Sequence, residues 1–146
     1  MIEHRLVSAS TVVRAPADRV FDLLADPARH PVLDGSGTVR ALVRGPDRLF
    51  LGARFAMAMR IGLPYAVVNR VVEFDEGRRI AWTHVTRALW RYELEPAGPT
   101  STRVLETFDM RESPLAPLYE RTGVAQRNAR GIVRSLALLR DVVEGA

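Results

Sequence analysis

Residues 71–84, VVEFDEGRRIAWTH, set two apolar runs on either side of Asp75-Glu76-Gly77. Runs rich in β-branched and aromatic residues favour strands, and a break holding Asp and Gly is turn chemistry. So short a connection joins antiparallel neighbours, because a parallel pair needs a crossover of about a dozen residues or more. The pattern repeats outward in both directions. Strands are expected over 38–44, 53–60, 65–74, 78–85, 89–95 and 102–110, with turn signals at Gly45-Pro46-Asp47, Gly62-Leu63-Pro64 and Pro96 to Ser101. Residues 38–110 therefore read as an antiparallel meander.

The flanks differ in period. Leu6–Arg14 reads as a further strand, and APADRVFDLLAD (15–26) as a short amphipathic helix with Pro16 at its start, Asp18 in its first turn and Ala17, Val20, Phe21 and Leu24 on one stripe. Pro27 and Pro31 bracket a second, weaker helical turn. Beyond the meander, Ser113 and Pro114 suit a cap and a first helical position. From Val124 onward, Ala125, Asn128, Ile132, Leu136, Leu139 and Val143 recur at helical spacing, with Arg127, Arg130, Arg134 and Asp141 opposite. Only the sheet is large enough to receive that apolar stripe. Gly123 and Gly131 weaken the helix, each by about 1 kcal/mol relative to Ala in an interior position.

With 146 residues the chain reads as one domain, 1–146, with one core. MIEHRLVSAS has no apolar run and no stretch approaches a membrane span, so a cytoplasmic protein with no membrane insertion is expected. Cysteine is absent, which removes thiolate chemistry and zinc-cysteine sites. Every basic residue is Arg, so no lysine Schiff base is available. The net charge is +4, and the arginines read as interleaved with Asp and Glu along the chain. Nucleic acid is not the expected partner.

Asp34-Gly35-Ser36-Gly37 invites reading as a phosphate cradle. Such cradles run strand, glycine loop, helix, so that the helix N-terminus holds the anion. Here the glycines follow a helical turn and enter a strand. The Gly-x-Ser-x-Gly hydrolase elbow fails too, since Asp34 stands where its first Gly belongs. A tight corner, with Asp34 accepting from loop amides, is the expectation.

The order of elements, with VVRAPADRVFDLLADPARHPVLDGSGTVR leading in, VVEFDEGRRIAWTH in the middle, TRVLETFDM as last strand and NARGIVRSLALLRDVV at the end, resembles the SRPBCC superfamily of START-like or Bet v 1-like helix-grip proteins. Within it, the chain looks like the polyketide cyclase/dehydrase and lipid-transport group. The resemblance spans nearly the whole chain. It implies an α+β helix-grip fold: a curved antiparallel seven-stranded sheet wrapped on a long C-terminal helix, two short helices between strands one and two, and an apolar cavity between sheet and helix.

Strand alternation nominates cavity residues without the family. Phe55, Met57 and Met59 share a face, as do Ile80, Trp82 and His84, and Trp90, Tyr92 and Leu94. In the strand 65–74, Tyr65, Val67, Asn69 and Val71 alternate with Val68, Val72 and Phe74, and both sets are mostly apolar, so its facing stays open. Phe108 and Met110 fall in register with Val104 and Glu106, and Tyr119 precedes the long helix as a lid or a staple. An inward Glu106 requires an Arg or Tyr partner, because a buried unpaired carboxylate costs several kcal/mol; otherwise a bulge turns it outward.

His84, Glu106 and Tyr92 are the proton-transfer candidates. The histidines His4, His30 and His84 have no metal-ligand spacing, and neither a metal nor another cofactor is called for. Two functions fit: binding of a hydrophobic or aromatic, lipid- or polyketide-like small molecule through these side chains, or a cyclase/dehydratase that uses the same cavity. Oligomeric state has no signature.

Overall fold

The computed structural model describes residues 2, 3 and 5–145. Its strands are β1 (Ile2–Glu3), β2 (Leu6–Val13), β3 (Val39–Arg44), β4 (Arg54–Ile61), β5 (Leu63–Asp75), β6 (Arg79–Thr83), β7 (Leu89–Gly98) and β8 (Ser101–Asp109). The helices are α1 (Ala17–Leu24), α2 (His30–Leu33), α3 (Ala116–Arg121) and α4 (Val124–Gly145), with a 3-10 turn over Pro27–Arg29 ahead of α2. The sheet order is β1-β2-β8-β7-β6-β5-β4-β3, every pair described being antiparallel. The meander is therefore as expected, and β2 closes it by pairing with β8 in eight register steps from Leu6↔Asp109 to Val13↔Thr102. The seven long strands form the curved sheet, and the two-residue β1 extends its edge.

The face of β5 is decided by a bulge. Val71 pairs with Trp82 but Phe74 pairs with Ile80, with the register slipping between Val71 and Glu73. An extra residue in one strand flips the alternation beyond it. Tyr65, Val67, Asn69 and Val71 thus line the inner face before the bulge, and Phe74 rejoins it after.

α4 lies mainly across β2 and also touches β8, α2 and α3. Its stripe of Ala125, Ile132, Leu136, Leu139 and Val143 is buried as its period predicts. Asn128, on the same stripe, stays half-buried. α1 packs over β7 and β8 and α2 beside β3 at the far edge of the sheet, and from them Phe21 meets Phe74 edge-on at 5.4 Å and His30 stacks on Trp82 at 4.7 Å. Ser113 accepts from the amide of Leu115 and donates to the carbonyl of Thr86, so it caps a turn ahead of α3 and ties it to the β6–β7 loop.

The Asp34 corner is built as its residue types demand. The Asp34 carboxylate accepts from the amides of Ser36 and Val39 and from the Ser36 hydroxyl, at 3.1, 2.8 and 2.7 Å. Gly35 sits directly on α4.

Candidate functional site

The inner face is read row by row. One row runs Val71, Trp82, Trp90, Phe108 and Val7; the next runs Phe74, Ile80, Tyr92, Glu106 and Ala9. Glu106 therefore faces inward, directly opposite Tyr92 on one side and the small Ala9 on the other. Its carboxyl is buried, and Oε1 has no hydrogen-bond partner. Burial pushes the Glu106 carboxyl well above its ordinary value, an effect the Tyr92 phenol beside it offsets only in part and the charge of Asp34 reinforces. Tyr92 is likewise raised by burial and by Glu106. Burial therefore favours the neutral acid over the carboxylate at this position.

Aromatic rings surround this pair. Trp82 packs against Tyr92, Phe55 and His30 with centroids 5.9, 5.8 and 4.7 Å away. Trp90 packs on Phe108 at 5.0 Å, and Tyr119 from α3 meets Phe108 at 6.0 Å. Phe55, Met57, Phe108 and Met110 are buried; Met59, Trp82, Trp90 and Tyr119 are half-buried. Asn69 is buried opposite Phe55, while Tyr65, at the outer end of β5, is exposed and feels Arg127 of α4 and Asp34. The inner face accordingly runs from an exposed phenol at Tyr65 to a sealed carboxyl at Glu106.

His84 stands apart from this arrangement. β6 ends at Thr83, so strand alternation no longer governs His84, which lies in the loop with its Nε2 3.4 Å from the Thr86 hydroxyl. Thr83, the last strand residue before it, is already about 10 Å at strand rise from the Ile80–Tyr92–Glu106 row. Burial lowers the pKa of His84. The structure brings Tyr92 and Glu106 together, while the hydrogen-bond contact of the His84 ring is with Thr86.

His30 is the residue that sequence reasoning passed over. It forms part of the aromatic lining, with Nε2 2.9 Å from the carbonyl of Leu24 and its pKa lowered by burial. Its position between Pro27 and Pro31, on the turn that leads to the Asp34 corner, is the signal that could have found it. His4 lies outside the described residues.

Two open grooves of about 560 Å³ each are found, one at the margin of this inner face and one away from it. One runs between β2 and α4, lined by Ala9, Thr11, Leu136, Arg140 and Glu144 among others. The second lies on the far side of the sheet, between Arg44, Pro46, Arg54, Ala56 and Val68.

This arrangement of sheet and helix has relatives. Residues 4–144 match the model of the family described as polyketide cyclase / dehydrase and lipid transport. The chain belongs to this family. It is 43% identical over 140 residues to the uncharacterized protein Rv0088 of Mycobacterium tuberculosis, covering 92% of the present chain. It spans only 62% of that relative's length. Protein TTHA0849 of Thermus thermophilus shares the family fold with a TM-score of 0.70 at 20% identity, over 96% of this chain and 97% of that one. Protein NE0264 of Nitrosomonas europaea does so with a TM-score of 0.71 at 16% identity, over 99% and 97%. The helix-grip fold of this family is a ligand-binding fold, and the inner face just described is the surface it turns toward α4.

Proposed function

We propose that the chain binds a hydrophobic or aromatic small molecule between the inner face of the sheet and α4, with one polar group of the ligand paired to Glu106. The observation that carries this reading is the orphaned Glu106 Oε1, buried beside Tyr92 in an otherwise apolar, aromatic wall. A buried polar atom without a partner costs about 1 to 3 kcal/mol, and a ligand hydroxyl or carbonyl would recover it. Trp82, Trp90 and Tyr119 are half-buried at the same wall, in keeping with ring surface left for a ligand.

Native mass spectrometry of freshly purified protein, followed by denaturing extraction, tests the reading. A co-purifying apolar molecule identifies the ligand class. Trp82→Ala and Trp90→Ala should abolish its uptake, each checked for folding because such truncations cost about 3 to 5 kcal/mol. Binding that survives in a folded double variant overturns the site.

A second reading is favoured by the same acid. A neutral Glu106 is a proton donor suited to dehydration or cyclisation of a bound polyketide-like substrate, with Tyr92 positioned to stabilise the carboxylate left behind. Here Glu106→Gln would remove turnover while preserving affinity. Loss of turnover in His84→Gln instead would return the proton-transfer role to His84.

A further inference from the structure

The arginines are not evenly balanced in space. Among residues 35–72 there are six arginines and a single acid, Asp47. Arg48 is clamped to Asp22 and Glu76. The other five, Arg40, Arg44, Arg54, Arg60 and Arg70, are exposed and make no ion pair among the described residues. The opposite half of the sheet is unlike this, since Arg79, Arg91 and Arg103 each meet Glu73, Glu93 or Glu95.

Register puts Arg44, Arg54, Arg60 and Arg70 on one outer face, with Arg40 at the irregularity of β3 beside them. Arg54 pairs directly with Arg70, Ala56 stands between Arg44 and Val68, and Arg60 pairs with Pro64. Like charges directly opposite in a ladder are destabilising, and here no carboxylate relieves them. Six residues separate the Arg54 row from the Arg60 row, so the basic stripe is about 20 Å long. Its floor is aliphatic and small: Ala56, Ala58, Ala66 and Val68. The groove of about 560 Å³ between Arg44 and Arg54 opens in it, over Gly45, Pro46 and Val68. At the end of the stripe the β4–β5 hairpin carries Ile61 and Leu63 at its tip, Leu63 being 78% exposed.

We propose that the outer face of β3–β5 docks on an anionic lipid surface, with a lipid phosphate seated between Arg44 and Arg54 and the Ile61–Leu63 tip entering the interface. Fixed cations around an aliphatic floor match a headgroup above acyl chains. Nucleic acid is less well matched, because an exposed aliphatic tip beside the cations suits acyl chains rather than a phosphate backbone. No helix of the described residues is long and apolar enough to cross a membrane, so the contact is peripheral. The proposal does not depend on what the inner face holds.

Co-sedimentation with vesicles of phosphatidylcholine alone, and with the same vesicles containing phosphatidylserine, tests it. The protein should pellet with the phosphatidylserine vesicles and not with the neutral ones, and should be released by added salt. Arg44→Gln and Arg54→Gln together should weaken partitioning about 25-fold, at about fivefold for each basic residue. Leu63→Asp should weaken it separately. As a matched control, Arg103→Gln on the paired half of the sheet should change binding little. Equal binding to both vesicles, binding to neither, or binding that survives the double substitution overturns the proposal. So does salt-sensitive binding to duplex DNA through the same arginines in preference to vesicles.

Discussion

The backbone amide of Gly35 donates to the hydroxyl of Ser135 at 2.8 Å, which brings the corner after α2 into contact with the middle of α4. A β-carbon added at Gly35 would stand 2.4 Å from the Ser135 nitrogen, 2.5 Å from the Gly131 carbonyl oxygen and 2.5 Å from the Arg134 β-carbon. The glycine of the loop is therefore required by a helix some hundred positions further along the chain, not by an anion.

Gly35→Ala should destabilise the fold by about 3 kcal/mol, since backbone atoms of α4 cannot step aside as a flexible side chain would. Gly131→Ala should do the opposite. Its β-carbon meets Ser36 at an ordinary 3.6 Å, so the helix propensity gain of about 1 kcal/mol is free to appear. Urea melts of the two variants, read against wild type, check both signs.

Glu106 sets a pH dependence. Its folded-state pKa is raised above the ordinary 4.5, so the unfolded chain gives up this proton at lower pH than the folded one does. Stability is therefore lost as pH rises from about 4.5 toward the folded value. Glu106→Gln should lack that slope and be more stable than wild type at about pH 7, while matching it in acid. Thermal melts across pH settle it; parallel curves for the two proteins would contradict a buried neutral acid.

The histidines act in the reverse direction. Burial lowers the pKa of His30 and of His84 below 6.5, so on acidification the unfolded chain takes up protons first. Stability is lost as pH falls through about 6.5 toward the folded values. His30→Phe should reduce this loss and preserve the stacking on Trp82 and the edge contact with Phe55, leaving the part due to His84. Subtracting the two pH profiles isolates the His30 contribution.

On the outer side of β5–β8, Arg91 joins three acids, Glu73, Asp109 and, at 3.9 Å, Glu93. It meets Glu73 at 2.7 Å and Asp109 at 3.5 Å, and its own pKa is raised by the bond to Glu73. Asp109 is buried, which opposes its charge, yet the bonds from Arg111 and the charge of Arg91 hold its pKa low. Arg91→Ala should cost about 2 kcal/mol, less than a fully buried pair because Glu73 is partly solvated and Arg111 still serves Asp109. The loss should shrink in acid, once Glu73 and Asp109 are protonated, and denaturant melts at two pH values check it.

The extent to which the site was legible follows from what local patterns encode. The inner faces of β4 and β7 were readable because Phe55, Met57 and Met59, and Trp90, Tyr92 and Leu94, alternate cleanly with charged or small partners. β5 was not, since both of its faces are apolar and a single bulged residue at Val72 moves Phe74 to the other side. Glu106 was readable as inward only up to a choice between burial and a bulge, and its pairing with Tyr92 settled that choice. The facing of His84 was not readable, because the strand ends one residue before it and a strand end is set by hydrogen bonds to neighbours. The basic face was partly legible: residues 35–72 hold six arginines and one acid, a local excess that reading the arginines as interleaved along the chain passes over.

Period and turn chemistry are local, and they were enough for the meander, the long amphipathic helix and the family. The register between β7 and β8, the seat of Gly35 on α4 and the gathering of five unpaired arginines depend on residues far apart in the chain. These are decided by which backbones pack against each other, and so became visible only in the folded molecule.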